Sequence, residues 1–172
     1  VIANKQTRRR PNVNGGSNDP SRSTWCTPAW LAEAIGRFEL DPCSNDRSHI
    51  RATQRLSLEE GDDGLAFAIA VAPERRVFVN PPYENGSVLE WFRAYKHTRF
   101  CFLLRFDPST AWFSELYRAT SLVCLPRGRR VNFEPPPGVR ASSNTFPHGL
   151  FYRDEADATP AILRACFSWR PR

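Results

Sequence analysis

In the stretch VFVNPPYENG, a short apolar run leads into Asn80-Pro81-Pro82-Tyr83, which sets two oxygen acceptors beside an aromatic plate. Each proline fixes φ and lacks an N–H, and Pro81 also restricts the residue before it. The turn is therefore stiff, and its carbonyls are not consumed by a continuing helix. Asn80 offers a side-chain oxygen, Pro81 a free carbonyl and Tyr83 a flat face. Such a set suits a planar group bearing an NH2, whose amine donates both hydrogens while its ring stacks. A conjugated amine is a poor nucleophile because its lone pair is spread into the ring. Two acceptors at tetrahedral positions pull the nitrogen toward sp³ and localise that pair for attack, a stabilisation that grows in the transition state. Composition alone also fits a plainer account, in which Pro-Pro ends a strand and Tyr83 packs on the surface.

The elements that must hold this turn are legible on both sides of it. RVFVN is short and apolar enough for a strand buried on both faces. GSVLEWFRAYKH follows as a helix with a capping box at Ser87 and Glu90, and Val88, Leu89, Trp91, Phe92 and Tyr95 fall at helical spacing. FCFLL is a second strand, RFDPSTAWFSELYRA a helix begun by Pro108, and SLVCL a third strand. Strand, helix, strand, helix, strand is the pattern of a parallel sheet with right-handed crossovers. Upstream, Thr27 is a candidate N-cap and Pro28 fits the first turn of a short helix. That helix delivers FELDP, a strand expected to end at Asp41 with Pro42 stopping it. Downstream, RRVNF, GLFY and ILRACFSW suggest strands completing the sheet, some of them antiparallel. The expected fold is α/β: a Rossmann-like sheet, mostly parallel and abbreviated, with antiparallel strands near the C-terminus and helices on both faces. Open α/β sheets bind ligands beyond the carboxyl ends of their strands, and three polar clusters sit there: Asp41, Asn80, and Arg105 with Asp107.

The chain has 172 residues, 41% of them hydrophobic, which is enough for one good core. Residues 1–22 are polar, with Gly-Gly, Asn, Ser and Pro in a row, and are expected to form a flexible basic arm before a single domain at 23–172. No run approaches the length of a membrane span and no apolar leader is evident, so the expected location is cytoplasmic. Five cysteines in no CxxC pair and three histidines without ligand spacing disfavour disulfides and metal. The net charge of +6 suggests a polyanionic partner. Its distribution is uneven: Lys5, Arg8, Arg9, Arg10 and Arg22 stand against Asp19 in the arm, Arg170 and Arg172 lie at the other end, and the body between is neutral. Within that body Arg127, Arg129, Arg130 and Arg140 form the best candidate phosphate patch. Alternation along RRVNF would turn only one of Arg129 and Arg130 outward.

Taken in order, WCTP, LDPCSND, DGL, NPPY, EWFRAYK and FLLRFDPSTAWF resemble the phage-type DNA N6-adenine methyltransferase family, over a span from about Trp25 to Tyr152. NPPY by itself is shared with methyltransferases acting on protein glutamine or ribosomal guanine; the ordered set is far more specific. The resemblance implies S-adenosylmethionine as methyl donor, duplex DNA with a flipped-out adenine as substrate, no metal, and a phage or prophage origin in a bacterial cell. It makes Asn80 and Pro81 the acceptors, Pro82 the stiffener and Tyr83 the stacking plate. Asp41, with Pro42, would hold the amino-acid end of the cofactor; a turn cap is the plainer role for Asp41. Trp25 and Thr27 would line the cofactor pocket, with plain core packing the alternative for Trp25. Asp63 would bond the cofactor's adenine or ribose, or be a solvated turn acid. Arg105, Arg127, Arg129 and Arg130 would contact DNA, although Arg105 and Asp107 could instead form a surface ion pair.

Two departures stand out. DPCSND has none of the glycines that usually let backbone approach the cofactor. Between Asp41 and Asn80 there is little room for two strands with crossover helices, so a loop is expected in place of one helix. No insertion is long enough for a separate target-recognition domain, so target choice is either relaxed or set by residues 127–148. Two other readings stay open at this level: the same fold methylating RNA or a protein amide, and an inactive nucleic-acid-binding remnant.

Overall fold

The computed structural model describes residues 25–83, 87–141 and 143–171, so the basic arm expected at 1–22 lies outside them. The chain runs α1 (Ala29–Ile35), β1 (Arg37–Ser44), β2 (Arg51–Ser57), α2 (Gly64–Phe67), β3 (Arg76–Val79), α3 (Ser87–Tyr95), β4 (Arg99–Arg105), α4 (Ala111–Ala119), β5 (Leu122–Pro126), β6 (His148–Tyr152), α5 (Pro160–Ala165) and β7 (Cys166–Trp169), with short 3₁₀ turns between some of them. The strands form one sheet in the order β2-β1-β3-β4-β6-β5-β7. The ladders β1–β2, β1–β3 and β3–β4 are parallel; β4–β6, β5–β6 and β5–β7 are antiparallel. The sheet is thus mixed rather than mostly parallel, because β6 inserts between β4 and β5 and breaks the run of parallel pairs.

Helices cover both faces. On one, Val88, Trp91, Phe92 and Tyr95 of α3 and Phe113 and Leu116 of α4 pack on Val77, Val79, Phe100 and Phe102. On the other, Leu31 and Ile35 of α1 and Ile162 of α5 cover Phe78, Cys101, Leu103 and Leu150. The successive apolar residues of β3 and β4 therefore serve two cores, which is why those strands read as unbroken hydrophobic runs. Residues 45–50 join β1 to β2 with no helix between them, so the expected loop in place of a crossover is present.

Several local expectations are corrected. Pro42 lies inside β1 rather than ending it, because the β1–β2 register shifts between Asp41 and Ser44 and a proline at such an irregularity costs no ladder hydrogen bond. Pro28, not Thr27, is the N-cap of α1. Helix α4 starts at Ala111, after a turn in which the Asp107 carboxylate accepts from the backbone N–H and hydroxyl of Ser109. RRVNF forms no strand: Asn144 donates to the Val131 carbonyl while Asn132 accepts from the Asn144 backbone, and these side-chain bonds take the place of a ladder. The first half of ILRACFSW is helical, started by Thr159 and Pro160, and only Cys166–Trp169 joins the sheet.

Candidate active site at the strand ends

Strands β1, β3 and β4 are neighbours and point the same way, so Asp41, Asn80 and Arg105 come to one edge of the sheet. Asp41 is 2% exposed and has no ion-pair partner among the described residues. Burial raises its carboxyl to about 6, against the backbone N–H of Cys43, the hydroxyls of Ser44 and Ser48 and the charge of Arg55. The N–H of Cys43 reaches the Asp41 carboxylate at 3.2 Å. The Cys43 thiol is pushed up by burial and by the Asp41 charge, and it lies against the backbone N–H of Asn80. One short network therefore joins the ends of β1 and β3.

The Asn80 side chain is oriented from a distant part of the chain: its amide nitrogen donates to the Thr27 hydroxyl at 3.4 Å. Thr27, 4% exposed, is fixed on both sides. Cys26 exchanges two backbone hydrogen bonds of 2.9 Å with Glu134, and the Pro28 carbonyl accepts the first bonds of α1. With the NH2 end committed to Thr27, the carbonyl oxygen of Asn80 is the end left to accept from a ligand.

Tyr83 completes β4. The β3–β4 ladder stops at Val79 and Phe102, where the two prolines turn the chain away with no N–H to give. The Tyr83 hydroxyl takes over: it donates to the Leu103 carbonyl at 3.3 Å and accepts from the Arg105 N–H at 3.1 Å. Burial of that hydroxyl raises its pKa. The residue as a whole is 44% exposed, and its ring stands edge-on to His148, with centroids 6.1 Å apart.

The remaining predicted residues have these surroundings. Pro81 is buried and Pro82 half-buried. Pro42 is buried against Gly64, where an added Cβ would lie 2.2 Å from the Pro42 carbonyl oxygen and 2.7 Å from Trp91. Asp63 is the N-cap of α2, accepting from the N–H groups of Leu65 and Ala66 at 3.0 Å. Trp25 is half-buried, and its indole N–H is enclosed with no partner among the described residues. Arg105 forms no ion pair with Asp107; its guanidinium lies 3.7 Å from the ring centroid of Phe146. Arg127 donates to the Cys166 carbonyl and faces Phe167, Arg129 lies over Trp30 at 3.4 Å, and Arg130 donates to the Thr145 carbonyl. Arg129 and Arg130 are both exposed, since no strand alternation applies to them.

Sequence reasoning missed Glu134, which holds the segment before α1: beyond its backbone bridge to Cys26, its carboxylate accepts from the Ala29 N–H at 3.1 Å and meets His49 at 2.7 Å. Nothing local marks that residue. Two clefts, one lined by Arg37, Phe38 and β2 residues and one by Arg129, Arg130 and Phe167 among others, lie apart from Asn80. No metal-binding group of His, Cys, Asp or Glu occurs among the described residues, and no helix there is long and apolar enough to cross a membrane.

The fold is that of a mixed-sheet α/β protein with Asp41, the Asn80–Tyr83 turn and Arg105 at one edge of its sheet. The profile of the DNA N-6-adenine-methyltransferase (Dam) family matches residues 15–152, and the chain belongs to that family. It is a methyltransferase whose activity is methylation of adenine N6 in DNA. Among curated proteins and among solved structures, nothing matches this chain.

Proposed function

We propose that the protein uses S-adenosylmethionine as methyl donor and acts on an adenine flipped out of duplex DNA, within a Rossmann-like methyltransferase domain formed by residues 23–172. The observation that carries this reading is the Asn80 amide at the end of a central strand, whose NH2 donates to the Thr27 hydroxyl while its oxygen accepts from no described residue, near a half-exposed tyrosine ring.

Two observations fit the residues to the cofactor. Asp41 is a buried carboxylate with no ion-pair partner among the described residues, which suits an ammonium, and the indole N–H of Trp25 is an enclosed donor with no acceptor among them. When bound, S-adenosylmethionine supplies a methyl group on a sulfonium, open to direct displacement without a covalent enzyme intermediate. The Asn80 oxygen and the Pro81 carbonyl accept the two amine hydrogens and localise the nitrogen lone pair as the new bond forms. Pro82 keeps the turn stiff, and Tyr83 stacks on the base with its hydroxyl anchored to β4. Asp63 acts by capping α2, whose tight packing on Pro42 shapes the end of β1. Arg105 and the arginines of residues 127–130 flank the site on the DNA side. Target choice is relaxed or rests on residues 127–148.

Incubation with methyl-labelled S-adenosylmethionine and duplex DNA, RNA or a protein extract, followed by digestion, tests the reading. Label in N6-methyladenine from DNA is expected. Label only in RNA or in a protein amide would overturn the substrate, and absence of cofactor binding would point to an inactive remnant.

A further inference from the structure

The arginines of residues 127–130 are occupied by carbonyls and rings of their own chain, whereas the side chains of Arg37 and Arg51 have no such partner among the described residues. Arg37 and Arg51 are opposite each other in the β1–β2 register, and both are exposed. Neither side chain has an ion pair or hydrogen bond among the described residues. Like charges directly opposite on adjacent strands cost stability, and nothing within the described structure offsets that cost. Thr53 and Arg55 continue the exposed positions of β2, the Arg55 guanidinium donating to the Ile50 carbonyl at 2.6 Å, and with Phe38 and Ala52 these residues line a cleft of about 350 Å³ with no acidic side chain among its described lining residues. Arg51 and Arg55 are four residues apart on an edge strand, roughly 13 Å along it. That distance matches the rise of about four base pairs, over which each DNA strand presents a row of phosphates. Arg55 is in register with Asp41, so the row climbs the sheet edge from the amino ends of the strands to the level of the candidate site.

We infer that this cleft binds the phosphodiester backbone of the DNA substrate, with Arg37 and Arg51 each contacting a phosphate away from the target base. The inference rests on DNA being the substrate, and it adds a contact surface that carries no sequence information. Its role is to raise affinity and hold register while the chemistry proceeds two strands away.

The test is the salt dependence of binding to a fluorescent duplex, compared between the wild type and the double variant Arg37→Gln, Arg51→Gln. Loss of two phosphate contacts lowers the slope of log K against log salt by about 2. Affinity at low salt should fall on the order of tenfold, while turnover at saturating DNA stays unchanged. Arg37→Lys, Arg51→Lys should restore the slope, because the charge and not the side-chain shape is at stake. A double Gln variant with the wild-type slope would overturn the inference. So would loss of inorganic phosphate binding with no change on DNA, which would make the cleft a small-anion site. A wild type that binds DNA through this surface but methylates none of it would instead refute the substrate reading and leave the surface standing.

Discussion

At the scale of single residues, the account turns on which way the Asn80 amide faces. The Thr27 hydroxyl takes its NH2 end, and an amide turned over would present donors to an amine that needs acceptors. One such hydrogen bond contributes about 1 kcal/mol net. Thr27→Val, which keeps the shape and removes the hydroxyl, should lower kcat about three- to tenfold with little change in cofactor affinity, and Thr27→Ser should recover it. A rise in the cofactor Kd with kcat unchanged would instead assign Thr27 to the cofactor pocket that the sequence suggested. Thr27 and Asn80 are 53 residues apart, so no local pattern connects them. The sequence does show both residues as notable, one before a helix and one after a strand; their contact is a product of tertiary packing alone.

At the scale of elements, α2 is a single turn wedged against β1 and α3. Asp63 starts it, Gly64 touches the Pro42 carbonyl, and the Tyr95 hydroxyl donates to the Gly64 carbonyl at 2.5 Å. A methyl group at position 64 would meet backbone at 2.2 Å, so β1 or α2 must shift. Gly64→Ala is expected to destabilise the fold by about 1–3 kcal/mol, measured by denaturant unfolding, and to displace Asp41. Loss of less than about 0.5 kcal/mol would show that the helix can move freely off the strand. Elements with continuous apolar runs were legible in the sequence: β3, β4, β5, β6 and α3 lie close to where periodicity puts them. The exceptions have particular causes. Pro42 survives inside a strand at a register shift, and in the Val131–Phe133 region the Asn144 side chain takes the Val131 carbonyl while the Asn132 side chain accepts from the Asn144 backbone. The mixed ladder could not be read from local pattern, because the place of β6 between β4 and β5 depends on partners distant in sequence.

At the scale of the whole molecule, two buried groups bias stability in opposite directions over the same pH range. Burial holds His148, 6% exposed, down at about 4 from an ordinary value of 6.5. The unfolded chain therefore binds the extra proton first, and this contribution is present above about pH 6.5 and lost as pH falls toward 4. Asp41 is raised from 3.8 to about 6, so the folded chain binds its proton first, and stability declines as pH rises from about 4 to 6. The two slopes, each up to about 1.4 kcal/mol per pH unit, nearly cancel. Asp41→Asn removes one of them. Its stability should rise steeply between pH 4 and 6.5 and exceed that of the wild type at pH 7 by about 2–3 kcal/mol, with cofactor binding lost. Thermal melts across pH with calorimetric titration of S-adenosylmethionine test this, and a flat profile for the variant would reject it. A carboxylate kept ionised at a cost to folding is what a site that receives a cation requires.

The most direct test of the central claim is the single-turnover rate of methyl transfer to duplex DNA by Asn80→Ala under saturating S-adenosylmethionine. Loss of one preorganised acceptor should slow the step by on the order of 10²–10³-fold while cofactor and DNA still bind. A rate within a few-fold of the wild type would contradict the claim that this asparagine activates the adenine amine.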